Sequence, residues 1–442
     1  MNVDVLITGA GPAGLAAGIE LRRLGVSRVL IADRETEAGG VPRHSAHTGY
    51  GLRDLHRLMT GPGYARHYAQ AAVRAGAEVR TGTTVTVWPG GPGQPLPPGA
   101  PGPAELPGPP GRPGGPGPPG PTGPLCASLT GADGIETVTA AAVLLATGCR
   151  ERPRAARLIP GGRPPGVMTT GELQQRVYLH GQRLPGRALV VGAEHVSFSA
   201  MVTLAHAGAR VVALVTDQPR HQSYPAFALA AAARWRAPVW ASAAVQRIAG
   251  HDRLEGVELA DLRTGTVSFV RCDTLVFTGD WIPDHELARL AGAQIDPGTR
   301  GPAVDTSLET SLPGVFAAGN LVHAAETADV AAVSGRHAAQ QIAAALSGGG
   351  PPRAARIPVT VAAPLSWISP NAIRAGGPPP ARGHFLLRSH AFRRLARLEV
   401  RQDGRVLSSA RARLVPGRPL HLDAGWMARA DPAGGAVRVA VR

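Results

Sequence analysis

The 442-residue sequence predicts an α/β fold: two Rossmann-like dinucleotide-binding domains followed by a small C-terminal antiparallel β domain. Three observations predict it. A glycine-rich turn joins a strand to a helix near the start, a second strand–turn–helix–strand unit begins at Arg187, and short alternating apolar runs follow Phe385.

The first unit is the most specific. Residues 3–8 (VDVLIT) read as a buried parallel strand that runs into Gly9-Ala10-Gly11-Pro12-Ala13-Gly14, with a helix over about 15–24. A second strand over 28–32 ends at Asp33. This is a GxGxxG turn in the setting that gives it meaning. Gly9 permits the tight turn, Gly11 lets the backbone approach a pyrophosphate, and Gly14 lets the helix pack close to the strand. The helix N-terminus offers unpaired N–H groups and partial positive charge to phosphates. Asp33, nineteen residues after Gly14, stands where a carboxylate accepts ribose hydroxyls.

The second unit has a strand over 188–192, a helix over about 196–207 and a strand over 210–215 that leads to Asp217. Its turn reads Gly192-Ala193-Glu194-His195-Val196-Ser197. Glu194 takes the second glycine's place, where a side chain obstructs a pyrophosphate and an anionic one repels it. Ser197 replaces the third glycine. The expectation is a retained fold with a lost NAD(P)H site.

Composition sets the outer bounds. The apolar share is 44% and no apolar run approaches the roughly eighteen residues of a membrane span. The chain opens directly on the first strand, so no signal peptide is expected. Cys126, Cys149 and Cys272 lie far apart with no CxxC pairing, which predicts a reducing, cytoplasmic compartment and no metal site. All 46 basic residues are arginine, which excludes Schiff-base chemistry. With 57 Gly and 42 Pro, the arginine excess reads as compositional bias and gives no case for a nucleic-acid partner. Residues 351–442 hold 16 Arg against 4 acids, a basic face that either steers an acidic partner or simply stays solvated.

Residues 89–124 interrupt the first unit: 28 of these 36 residues are Gly or Pro. From Gly108 glycine recurs every third place, but collagen needs three chains and a far longer run. The segment reads as a low-complexity insert at a hairpin tip, between strands over 83–88 and 125–129.

Three further blocks carry a resemblance: Asp33-Arg34-Glu35 to Gly39-Gly40, then Leu144-Leu145-Ala146-Thr147-Gly148, then residues 310–320 (TSLPGVFAAGN). In that order they resemble the FAD-binding elements of the two-dinucleotide-domain flavoproteins, the glutathione- and thioredoxin-reductase-like superfamily, over about residues 1–346. The resemblance implies an FAD domain with an inserted NAD(P)-like domain. FAD is then held by Gly9, Gly11, Pro12, Ala13, Gly14, Asp33, Arg34, Gly40, Ala146, Thr147, Gly148, Gly319 and Asn320. Asn320 replaces the acid that the family places on the flavin ribityl chain. No cysteine follows Gly39-Gly40, so a thiol–disulfide relay is ruled out at this site. His44 and His47 fall where side chains approach the flavin, to stabilise its reduced form, shuttle a proton, or only pack structurally.

The stretches over 39–69, 144–161 and 169–175 resemble, more narrowly, flavin subunits encoded beside glycerol-3-phosphate-dehydrogenase-like, opine-oxidising and cyanide-forming amine oxidases. Such relatives commonly place a cysteine where Ser45 stands. The resemblance implies two partners, a companion flavoprotein dehydrogenase subunit together with a small iron–sulfur protein. Domain limits follow: 1–151 for the first half of the FAD domain, 152–280 for the degenerate NAD(P)-like domain, 281–346 for the return, and 351–442 for the arginine-rich β domain. A helix over 328–346 is expected to point its N-terminus at the flavin. The expected function is an electron-transferring flavin subunit. The alternatives are a self-sufficient NAD(P)H-dependent flavin reductase and a non-catalytic interaction protein.

Loop-closure entropy grows only logarithmically with length, and a Pro/Gly tract cannot form a packed core. Deleting residues 91–123 should therefore leave FAD content unchanged and move the thermal midpoint by less than about 1 °C, a shift worth about 1 kcal/mol at this size. A larger loss, read by flavin absorbance and calorimetry, would make the insert part of the folded unit.

Overall fold

A computed structural model describes residues 1–87, 125–225, 229, 233–349 and 354–442; the Pro/Gly insert lies outside the described residues. The first sheet has the strand order Glu78–Arg80, Val29–Ala32, Asn2–Thr8, Gly134–Leu145, Leu125–Gly131, Thr84–Val87. Its first four strands are parallel, with Val5 opposite both Val29 and Ala142. They are fully buried at Val5, Leu6, Ile7, Leu30, Ile31 and Leu144, as a sheet covered on both faces requires.

The long strand Gly134–Leu145 serves two partners. Its first half pairs antiparallel with Leu125–Gly131, and its last residues pair in parallel with Val315–Ala317. Thr84–Val87 and Leu125–Gly131 are antiparallel neighbours, so the two strands expected to flank the insert are there. Val315–Ala317 returns to this sheet only after the whole second unit, so the second unit is an insertion in the first. Two short antiparallel strands, Cys149–Glu151 and Trp281–Pro283, carry the chain out and back.

The second unit is a five-stranded parallel sheet in the order Val167–Thr169, Thr274–Phe277, Gly186–Val191, Ala209–Val215, Val239–Trp240. A three-stranded antiparallel sheet over 243–271 flanks it, which the sequence pattern did not suggest. The C-terminal domain has a five-stranded and a three-stranded sheet around Phe385 and Trp426, whose rings stack at 5.1 Å. It is antiparallel except for one parallel pair, Arg356–Val361 with Val437–Val441. The expected hairpin turn at Asp403-Gly404 joins Arg393–Gln402 to Arg405–Leu414.

Two helices position the site. The first, Pro12–Arg23, starts with proline, which has no N–H to leave unpaired and is pre-set for a helix. The closing helix, Ala328–Leu346, lies against it at small residues, with Gly335 on the Ala13 backbone. A Cβ on Gly335 would sit 2.0 Å from the carbonyl oxygen of Ala13. Backbone cannot yield as a side-chain tip can, so Gly335→Val should destabilise by about 3 kcal/mol, the upper end for overpacking. An unchanged denaturant midpoint in this variant would show that the two helices do not approach this closely.

Candidate functional site

The site is assembled at the carboxyl ends of the parallel strands, where open α/β sheets bind ligands. Gly9 follows the first strand with φ +106°, and its N–H donates to Ala32 O at 2.7 Å. A Cβ there would lie 2.5 Å from Ala146 O, so the turn needs glycine on two counts. Gly14 is as constrained, since its Cβ would lie 1.9 Å from Gly9 O. Gly11 is different: nothing lies within 4 Å of the position its Cβ would take. The protein does not need a glycine there for its own packing. An approaching pyrophosphate does, so the turn fits a dinucleotide.

The other predicted residues converge on this turn. Gly39 N–H donates to Ala10 O at 2.8 Å, and a Cβ on Gly40 would sit 3.0 Å from Gly11 Cα. Ala146 N–H donates to Thr8 O, and Thr147 Oγ1 donates to the Asp284 carbonyl at 2.7 Å. Gly148 follows with φ +78°, and its carbonyl accepts from Asp284 N–H at 2.9 Å. Gly319 packs on Ala13, with a Cβ position 2.8 Å from the Ala13 methyl carbon. Arg34 is exposed, within 4.0 Å of Glu35 and Asp284.

Two predicted residues, and one the sequence reading did not single out, carry roles the sequence did not give them. Asp33 accepts from Ala10 N–H at 2.5 Å and from Glu35 N–H at 2.8 Å, so it also pins the glycine turn to the second strand. Asn320 donates to the Glu326 carbonyl and accepts its N–H, at 3.1 and 2.8 Å, which commits much of its amide to the following loop. The closing helix carries Asp329 in its first turn, buried and accepting from Arg53 N–H at 3.2 Å. That carboxylate offsets part of the helix's positive end.

His44 and His47 belong to the segment after Gly40. His44 is buried, and desolvation with Arg43 beside it pushes its imidazole down to about 4, so the ring is neutral at neutral pH. Its Nδ1 has no protein partner. His47 is half-buried, pairs its Nδ1 with Thr48 O at 2.8 Å and lies 5.4 Å from the Tyr50 ring. Ser45 is buried, and the three cysteines are free thiols in separate places, with Cys149 raised by burial. Sequence reasoning missed one buried network here. Tyr64 and Tyr68 both donate to Asp54, at 2.6 and 2.7 Å, with Arg336 3.7 Å away. The i, i+4 tyrosine spacing was the available signal.

The second unit's turn is occupied by its own side chain. Glu194 Oε2 accepts from Ala193 N–H at 2.9 Å and Oε1 accepts from the Thr278 hydroxyl at 2.6 Å. Ser197 and Thr278 hydroxyls pair behind it at 2.8 Å. The C-terminal domain then packs over the turn. Arg418 donates to the carbonyls of Gln222 (2.8 Å) and Ser223, its guanidinium lies 4.3 Å from the Tyr224 ring centroid, and a Cβ on Gly417 would touch Glu194 Cβ at 3.8 Å.

Comparison with known proteins agrees with this geometry. A pyridine nucleotide-disulphide oxidoreductase family model matches residues 125–335, and an FAD-binding-domain model matches residues 2–48. Over these residues the chain is similar to FAD-binding proteins of the pyridine nucleotide-disulphide oxidoreductase type. One opine oxidase subunit, from Agrobacterium tumefaciens (strain Ach5), is 27% identical over 43% of this chain and 32% of its own length. Ferredoxin–NADP reductase of Picrophilus torridus is 30% identical over 23% of this chain and 28% of its own. A 46-residue stretch is 54% identical to the alpha subunit of sarcosine oxidase from a Corynebacterium species, covering 10% of this chain and 5% of that one. The matches thus span a third or less of these relatives. Thioredoxin reductase of T. acidophilum shares the fold, with a TM-score of 0.59 at 21% identity over 78% of this chain and 99% of its own. Among the described residues no helix is long and apolar enough to cross a membrane.

The open space at Gly11 separates folding from binding. Gly11→Val should fold with an unchanged circular dichroism spectrum but retain less than about a tenth of the bound FAD, because the branched side chain fills the pyrophosphate's approach. Full flavin content in the purified variant would remove this turn from the cofactor site.

Proposed function

We propose that this chain is an electron-transferring flavin subunit of a multisubunit dehydrogenase or oxidase, reduced by a companion flavoprotein subunit rather than by NAD(P)H. Bound FAD supplies the redox chemistry. The protein's own residues would bind and orient it: the helix's first-turn N–H groups at Ala13 and Gly14 would serve the pyrophosphate, and Asp33, holding the Ala10 N–H, fixes the turn that presents them. Neutral His44, with an unpartnered Nδ1, is suited to hydrogen-bond or relay a proton at the flavin segment, with His47 beside Tyr50 at its edge. No dithiol stands after Gly40, so electrons do not leave through a disulfide.

The observation that carries the reading is the Glu194 side chain in the second glycine's place, its carboxylate folded back on the Ala193 N–H inside the turn a nicotinamide dinucleotide would need for its pyrophosphate. The loop at Gly417-Arg418 adds a second barrier. The names of two relatives, subunits of an opine oxidase and a sarcosine oxidase, support companion subunits. A small iron–sulfur protein as onward acceptor and a cytoplasmic location belong to the same reading. The self-sufficient NAD(P)H-dependent reductase is the second reading. The family matched and the ferredoxin–NADP reductase likeness favour it.

Two unit charges about 4 Å apart repel by about 4 kcal/mol at an effective dielectric near 20. Even about 3 kcal/mol is roughly a hundredfold in affinity. Stopped-flow mixing with NADH or NADPH should leave the flavin oxidised over seconds, while dithionite bleaches it. Glu194→Gly should bind nicotinamide cofactor at least about tenfold more tightly. Rapid bleaching of the wild-type flavin at micromolar NADH would overturn the subunit reading in favour of the reductase.

A further inference from the structure

Between the closing helix and the C-terminal β domain lies a cavity of about 380 Å³, within the size range of small-molecule sites. Its walls are apolar: Leu308, Val322, Val330 and Val333 on one side, Pro370 and Leu386 on the other. None of residues 9–14, Asp33, Gly40 or 146–148 lines it, and it meets the candidate flavin site at Gly319, Asn320 and the first turn of the closing helix, Val330 and Ala331.

The polar groups are few and concentrated. Arg53, Arg382, His384 and His421 are exposed and form the mouth. Arg382 Nη2 donates to the Arg53 carbonyl at 2.5 Å, which ties the two arginine-bearing segments together. Among the described residues neither guanidinium is in an ion pair. The one carboxylate in the lining, Glu326, is already held by Arg388 at 2.7 Å. The mouth therefore carries two guanidinium groups outside any ion pair, with Glu326 acting on Arg53 only at longer range and Asp329 holding the Arg53 backbone N–H. Further in, His323 is buried with its ring 5.2 Å from Trp367, and its Nδ1 has no protein partner. A buried polar atom without a partner, lining a cavity, is a hydrogen-bonding position left for a ligand or water.

We propose that this cavity binds a small carboxylic acid with an apolar body. Its carboxylate is held by Arg53 and Arg382, its body lies on Val330, Val333 and Leu386, and His323 meets a polar substituent on that body. A guanidinium matches a carboxylate's two oxygens, whereas an amine would be repelled and an alcohol would leave the charge uncompensated. A bare anion would leave the apolar walls unfilled. Binding here is independent of the electron source, because it uses neither the second unit's turn nor the redox state.

Isothermal titration of the full-length flavoprotein with hexanoate, hexanol, hexylamine and inorganic phosphate tests it, with FAD content measured in every sample. Hexanoate should bind saturably and at least about tenfold more tightly than the other three. Arg53→Ala with Arg382→Ala, both exposed, should weaken hexanoate at least about tenfold with FAD content unchanged. Val333→Trp should block binding by filling the space. Equal binding of hexylamine, phosphate as tight as hexanoate, or hexanoate affinity untouched by the double arginine change would overturn the proposal. Release of FAD in step with hexanoate would do so too, by assigning the space to the flavin.

Discussion

The structure depends on backbone packed against backbone. Gly14 sits on the carbonyl of Gly9, Gly335 sits on the carbonyl of Ala13, and Gly319 sits on the Ala13 methyl. These contacts bring the glycine turn, the closing helix and the strand Val315–Ala317 to one point, although more than three hundred residues separate Gly14 from Gly335. A side chain at Gly335 would push the closing helix off the first one, and one at Gly14 would push the first helix off the strand that carries Ile7 and the Gly9 turn. Close packing comes first, and the cofactor's cradle is what it leaves.

The C-terminal domain is held by charge where the first domain is held by shape. Arg374 reaches Asp305 and Glu309 at 2.5 and 2.7 Å, Arg356 reaches Asp305 at 3.2 Å, and Arg388 reaches Glu326 at 2.7 Å. Asp305 and Glu326 are buried, so each needs its partner, and removing one would cost about 3–5 kcal/mol. These pairs explain why part of the arginine excess lies in this domain: some of it is an inward-facing clamp rather than a solvated surface. The same clamp brings Gly417-Arg418 over the second unit's turn and forms the cavity beside the closing helix.

Much of this was legible in the sequence because glycine spacing and strand periodicity are local signals. The turn at Gly9–Gly14, the helix over 328–346 and the hairpin at Asp403-Gly404 all fall where the pattern put them. What was illegible depends on contacts between distant segments. Nothing local tells Arg418 that Gln222 will be its partner, or Tyr64 that Asp54 will take both tyrosine hydroxyls. Asn320 shows the intermediate case. Its position on the turn was readable, but the loop that satisfies its amide, through Glu326, closes only in three dimensions.

Glu194 combines a local signal with a distant contact. In a chain that had lost a nucleotide site by drift, its carboxylate would be free to turn to solvent, since an unpaired surface acid costs little. Here both oxygens are engaged, one on the N–H of the turn and one on the Thr278 hydroxyl, and a loop from another domain packs on its Cβ. The Ala193 N–H and the Thr278 hydroxyl are thus satisfied from within the chain, though the carboxylate does not cap the helix that follows. On the proposed reading, the second domain would be stable without a dinucleotide, because these groups already have partners within the chain.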